Sequence, residues 1–289
     1  MYSCSKTTTP SFQLLQTKHI NFPSASAAEF YKNRLFVFGD DAPYLLILSP
    51  NYDALDSVVY LPNVTGRIPK EEKPDIESTT ISIKNGEAIL YAFGSMSTEK
   101  RAGMLEYNPQ TRSMKAASFL PSNMVIPGIS ALNIEGSCTV KDRMVFSNRA
   151  NIANPINHLV FINPDSSTTT KKILLPAGKL VAGLSGLYYE QGKDLLLFTA
   201  SEEETASTFK DGAIGDSYVG WIENFSGKMN ANEFAPDQYV KLSSIDKAFA
   251  KQKVESVCVE KVMGNELILH LVADNDNGSS NLFKLRIKL

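Results

Sequence analysis

Two carboxylates in this chain recur at one position of a repeated phrase. Glu77 stands in Lys73-Pro74-Asp75-Ile76-Glu77-Ser78 and Glu255 in Lys253-Val254-Glu255-Ser256, each just before a serine that opens a strand-like run. Ser26, Ser130 and Ser185 bear the same relation to the strands that follow them, and Ala25, Ile129 and Leu184 precede them. The pattern offers the chemistry of paired carboxylates. If the serines converge on one axis, Glu77 and Glu255 face each other and repel by about 1–4 kcal/mol at contact distance, depending on the local dielectric. Burial adds a desolvation cost unless a cation or hydrogen-bond donors meet them. A positive partner is therefore expected: calcium or another divalent cation, or Arg149, Arg67 or Lys70. A metal held by Glu77 and Glu255 would polarise a substrate oxygen and acidify a bound water, with Asp40, Asp41 or Asp75 as general base and Arg149 holding an anionic substrate group. An arginine or lysine would instead make the pair an ion-pair cluster that fixes the scaffold.

The elements that must position these residues repeat. Arg34–Phe38 and Tyr44–Leu48 read as two hydrophobic strands joined by a polar turn, Gly39 to Pro43. The phrase returns as Glu87–Ser97 with Met104–Pro109, Asp142–Asn151 with His158–Pro164, Asp194–Glu203 with Tyr218–Ser226, and Asn265–Asp276 with Leu282–Leu289. A short inner strand precedes each hairpin, and a more polar outer strand follows, ending at Pro62, Pro121 or Pro176 where an edge tolerates proline. The first unit is Ser26–Tyr31, Arg34–Phe38, Tyr44–Leu48 and Ser57–Leu61; the next three begin at Ser78, Ser130 and Ser185. The last begins at Ser256 and lacks a fourth strand, while Thr17–Phe22 is surplus at the other end. The expected fold is all-β: a five-bladed β-propeller of four-stranded blades, one domain over 12–289, closed by the N-terminal strand. Closure removes the open edge that would otherwise invite pairing with other chains. The extra length of the fourth unit falls in Ser201–Ser217 and in Ser243–Gln252, whose pattern suits a short helix.

In such a fold the hairpin turns and the starts of the inner strands share one face. That face gathers Asp40, Asp41, Ser95, Ser97, Arg149, Asn151, Asn154, Glu202, Glu203, Glu204, Asp274 and Asp276 with Asp75, Glu77 and Glu255, rimmed by the connector Pro62–Pro74. Loops on a rigid scaffold are where binding concentrates. Asp40, Asp41, Asp75, Glu77, Arg149, Glu255 and Asp274 are accordingly the expected ligand-binding set. Asp274–Gly278 resembles part of a calcium loop, but its glycine falls one place early, and Asn277-Gly278 is an ordinary hairpin turn.

Composition excludes several classes. A net charge of −2 with no long run of Lys or Arg argues against nucleic acid. No apolar stretch approaches the roughly 20 residues of a membrane helix. Cys4, Cys138 and Cys258 are too scattered for a disulfide framework or a zinc site. His19, His158 and His270 fall in or beside strands of different units without a nucleophile elbow, and no phosphate-binding glycine loop is present.

Three resemblances add to this reading. The Ser/Thr-rich segment Met1–Ser11 reads as a tail, and Tyr2-Ser3-Cys4-Ser5-Lys6 resembles the end of a bacterial lipoprotein signal, without the charged and apolar regions that should precede it. The resemblance implies a lipid anchor at Cys4 and a place in the cell envelope; otherwise Cys4 is incidental and the protein cytoplasmic. Glu77 and Glu255, each followed by a small residue, are similar to the motif of calcium-binding lactonase and esterase-like propellers, which implies a metal in the axial channel and hydrolysis of lactones, esters or phosphoesters. Across most of the chain, the Gly39-Asp40-Asp41 turn and the Lys73-Pro74-Asp75-x-Glu77 segment resemble uncharacterised bacterial propeller families, which imply the fold and no activity. The leading expectation is a module that binds a small molecule or a protein on the loop-rich face, with the metal hydrolase as the alternative.

Overall fold

A strand residue points to one face of its sheet and its neighbour to the other, so a strand that is apolar at every position must be covered on both sides. Leu195 and Leu197 enter a core shared with the last sheet, whereas Leu196 and Phe198 enter the core on the opposite side. The computed structural model, which describes residues 9–119, 126–206, 212–274 and 278–289, accommodates such strands by stacking five sheets face to face around an axis. Each seam between consecutive sheets has its own hydrophobic cluster.

Blade 1 comprises Ala25–Tyr31, Arg34–Gly39, Tyr44–Leu48 and Ala54–Val59, from inner to outer strand. Blade 2 runs Ile76–Lys84, Glu87–Gly94, Gly103–Asn108 and Ser113–Ser118. Blade 3 runs Ile134–Val140, Arg143–Asn148, Asn157–Ile162 and Thr168–Ile173, and a short parallel strand from the next blade, Glu233–Phe234, covers its outer edge. Blade 4 runs Ala182–Glu190, Leu195–Glu203, Ile214–Glu223 and Gln238–Lys241. Blade 5 has Lys253–Met263, Glu266–Asp274 and Ser280–Lys288, and the N-terminal strand Ser11–Ile20 completes it.

The expected fold is therefore found, with shifted boundaries. The closing strand spans ten residues and ends before Phe22, because Phe12 and Leu14 also pack into the core beneath blade 5. Phe22 leaves the strand to fill the seam between blades 5 and 1. The outer strand of blade 1 lies at Ala54–Val59, not Ser57–Leu61, and the inner strand of blade 3 begins at Ile134, beyond Ser130. The expected helical segment forms Leu242–Ile245 and a 3₁₀ turn, Lys247–Phe249. Its Leu242 and Phe249 join the core between blades 4 and 5.

The closing seam carries its own polar pin. His270 is fully buried, 2.9 Å from the Tyr52 hydroxyl of blade 1, stacked on Phe30 and 3.0 Å from Glu260. Lys284 also reaches Glu260, at 2.9 Å. The imidazole and hydroxyl are buried and Glu260 is partly exposed; together they lock the seam. A variant lacking residues 1–20 exposes the Ser280–Lys288 edge and part of the core; it should aggregate or lose its cooperative thermal transition. Circular dichroism melting with size-exclusion chromatography tests this, and an unchanged melting curve would contradict the closure.

Candidate functional site

Each inner strand carries a β-bulge at one equivalent place. The registers slip between Ala25 and Ala27, Ile76 and Ser78, Ile134 and Gly136, Leu184 and Gly186, and Val254 and Ser256. The extra residues are Ser26, Glu77, Glu135, Ser185 and Glu255, and a bulge re-aims the side chain it inserts. The residue after each bulge is small because the strands crowd at the axis. A Cβ on Gly136 would lie 2.7 Å from Leu187 N, and one on Gly186 would lie 2.8 Å from Ser256 Cα. The two bulge serines tie neighbouring blades together: Ser26 Oγ donates to Ile76 O and Ser185 Oγ donates to Val254 O at 2.6 Å.

Two further sets of residues sit above this ring. Ser24, Asp75, Asn133, Gly183 and Lys253 stand two residues ahead of the bulges, opposite Asp40, Ser95, Arg149, Ser201 and Asp274 at the hairpin ends. Charge is distributed unevenly among the blades. On blades 1 and 2, Asp75 holds a left-handed backbone (φ 56°) and receives Lys73 at 2.8 Å, Arg101 at 2.9 Å and the Ser95 hydroxyl at 2.5 Å. Lys73 also grips Asp40, and Arg67 donates from the rim to Asp41 at 2.5 Å. Burial, with Asp41 and Asp75 nearby, pushes the Asp40 carboxyl up to about 6 despite Lys73.

On the opposite side one buried arginine serves three blades. Arg149 leaves blade 3 and lies 3.1 Å from Glu135, 3.0 Å from Glu203 of blade 4 and 3.5 Å from Glu255 of blade 5. Its path crosses Gly183, where a Cβ would stand 2.3 Å from Arg149 Cγ; any larger residue would block the crossing. Lys253 supports Glu255 at 2.9 Å. Burial still raises the Glu135 carboxyl to about 7, against Arg149 and Lys253 and with Glu255 and Glu203 adding to the rise.

Glu77 stands between the two networks and belongs to neither. Among the described residues it has no hydrogen bond and no ion pair, and Lys73 is the cation that acts on it from a distance. It is half-buried, and its carboxyl is raised well above the ordinary range by burial and by Glu135, Asp75 and Asp40. Oxygens of Asp40, Asp75 and Glu77 all lie within 4.8 Å of one another. Deeper along the inner strand of blade 1, buried Glu29 accepts the Phe30 N–H, and desolvation pushes its carboxyl up to about 8.

The structure thus brings Asp40, Asp75 and Glu77 together, sets Asp41 beside them on Arg67, and places Glu255 and Arg149 in one ion-pair network. Glu255 meets Lys253 and Arg149 and lies outside the carboxylate trio. Asp274 pairs with Lys253 in the ladder and lies within the field of Arg67, while Lys70 is exposed on the rim. Residues 275–277, which carry most of the calcium-like loop, and Cys4 in the tail fall outside the described residues. Sequence reasoning placed Glu203 on this face and passed over Glu135, Arg101, Glu29 and the pairing roles of Lys73 and Lys253. Glu135 was legible: Ile134-Glu135-Gly136, Ile76-Glu77-Ser78 and Val254-Glu255-Ser256 share one phrase, apolar–Glu–small, and Leu184-Ser185-Gly186 has a serine in its middle place. Aligning on serine instead moved blades 1 and 4 by one residue and blade 3 by six.

Residues 21–287 match the model of a family of unknown function, DUF6929. The chain belongs to DUF6929. No curated protein matches this DUF6929 chain. Among solved structures it is similar to a glutaminyl cyclase of Myxococcus xanthus, with a TM-score of 0.56 and 11% identity over 96% of each chain. It is also similar to an arabinanase of Bacillus subtilis (TM-score 0.49, 14% identity, 94% of this chain and 95% of that one). A virginiamycin B lyase of Staphylococcus aureus gives a TM-score of 0.44 at 9% identity, over 97% of this chain and 100% of the other. At these identities the likeness is one of fold.

The raised acids set the sign of a pH dependence. Glu29 near 8 and Glu135 near 7 bind protons in the folded chain at pH values where the unfolded chain has released them. Their contribution to stability is therefore present at low pH and is lost as pH rises through those values. His158 and His270, both lowered from 6.5, act in the opposite sense below that value, so the clean window lies above it. Urea unfolding should show stability falling between pH 6.5 and 8.5, by about 1.4 kcal/mol for each proton that differs across one pH unit. Glu29→Gln should flatten the upper part of that slope; an unchanged slope would contradict the assignment.

Proposed function

We propose that this propeller is a binding module and that its axial mouth receives a cationic group of a small-molecule ligand. The observation that carries this is Glu77, a carboxylate with no ion pair among the described residues, set beside Asp40, Asp75 and Glu135. Among the described residues, the carboxylates around the mouth (Asp40, Asp41, Asp75, Glu77, Glu135, Glu203, Glu255 and Asp274) outnumber the cations that meet them (Arg67, Lys73, Arg101, Arg149 and Lys253). Such a surplus in a low-dielectric setting favours either a proton or a bound cation. The networks on both sides are anchored by buried ion pairs, so the acceptor oxygens are held in place before a ligand arrives.

The donor set distinguishes kinds of cation. Three carboxylate oxygens would suit a hard divalent ion. Lys73, however, already places an ammonium on Asp40 and Asp75, so a resident metal would require that side chain to leave. The residues therefore fit an ammonium better than a divalent metal.

Thermal-shift titration at pH 8 with ethylammonium chloride, against sodium chloride at equal ionic strength, tests the reading. Saturation at about 100 times Kd adds about 2.7 kcal/mol of stability, a shift of a few degrees. Glu77→Gln should abolish the shift. A shift with calcium, magnesium, manganese or zinc that a chelator reverses, and none with ethylammonium, would replace this reading with the metal-dependent hydrolase.

A further inference from the structure

One cation already sits among the mouth carboxylates, and it belongs to the chain. The Lys73 ammonium lies 2.8 Å from Asp75 and pairs with Asp40 as well. Oxygens of Asp40, Asp75 and Glu77 lie within 4.8 Å of one another. That is the spacing of donors around a single calcium ion, each about 2.3–2.6 Å from it. Lys73 thus stands where a cation would stand for two of the three carboxylates. The third, Glu77, feels Lys73 only at a distance.

The connector presents this lysine from a fixed turn. Ile68 is buried and its N–H donates to Asp41 O at 2.8 Å, which pins the connector to the first hairpin. Pro69 O then accepts the N–H groups of Glu72 at 2.8 Å and Lys73 at 3.0 Å. Pro74 follows, and a residue before proline is held in extended backbone. The two acids that Lys73 joins depend on it unequally. Asp75 also has Arg101 at 2.9 Å and the Ser95 hydroxyl at 2.5 Å. Asp40 has Lys73 as its one ion-pair partner among the described residues, and its Oδ1 is buried without a hydrogen bond. Loss of the lysine would therefore leave Asp75 in place and free Asp40 to act with Glu77.

We infer that Lys73 is a tethered ammonium that sets the charge specificity of the mouth. It fills the cation position of Asp40 and Asp75, so that the mouth accepts one further positive charge at Glu77 and turns away a divalent ion. The charges agree: among the described residues the three carboxylates pair with two cations, Lys73 and Arg101, and without Lys73 the deficit of one becomes two. The identity of the ligand rests on the axial reading; the exclusion of a divalent ion is tested apart from it.

Calcium titration of the full chain at pH 8, by isothermal titration and thermal shift, tests this in Lys73→Met and Lys73→Gln. The glutamine variant keeps a donor for the two acids and removes the charge. Both should bind calcium at least about tenfold more tightly than the unaltered protein, and adding Glu77→Gln should cancel the gain. A variant that fails to fold without calcium should fold in its presence. Calcium bound as tightly by the unaltered protein, or no gain in either variant, or a variant that calcium does not fold, would overturn the role of Lys73. A gain in both variants, with no ethylammonium shift in the unaltered protein, would uphold that role and remove the axial ammonium reading. An ethylammonium shift without the gain would do the reverse.

Discussion

Everything at the mouth follows from crowding at the axis. Five inner strands converge there, and at the position after each bulge only Ala27, Ser78, Gly136, Gly186 and Ser256 fit. With no room for large side chains at that level, polar groups are pushed up to the bulge residue and the strand ends, where backbone carbonyls and neighbouring blades can reach them. The bulge is what lets an inner strand be apolar along both seams and still present Glu or Ser to the mouth.

The charged mouth is a strained compromise. Burying an ion pair costs desolvation that its Coulomb attraction only partly returns, and removing one partner of such a pair typically costs about 3–5 kcal/mol. Arg149 meets this by contacting three carboxylates at once, with Gly183 as the opening that makes the crossing possible. Lys73 and Arg101 do the same for Asp75. Glu77 is left over between the two networks. Scaffold stability alone gains nothing from a half-buried, unpaired carboxylate, and that is why it reads as a site.

The fold was legible because hairpin period, turn residues and the surplus N-terminal strand all agree, and closure explains why they must. Asp40, Asp75 and Glu77 were legible for the same reason, since topology sends hairpin ends and strand starts to one face. The pairing of Glu77 with Glu255 was not. Sequence position shows that two groups face one axis, but the partner of each is set by which long cation can reach it, and Lys253 and Arg149 reach Glu255 first. Glu29 was hidden by its surroundings in Ala27-Ala28-Glu29-Phe30, where a carboxylate looks like an outward-facing strand residue.

The central claim is that Glu77 is an uncompensated carboxylate. Carbon-detected NMR titration of the glutamate side chains, with Glu77→Gln to assign the resonance, measures it directly. The account predicts a Glu77 midpoint well above the ordinary 4.5 in the free protein, moving down when a cation is bound. A midpoint at the ordinary value in the free protein would mean that Glu77 is already paired or freely solvated, and the mouth would lose its claim to a ligand.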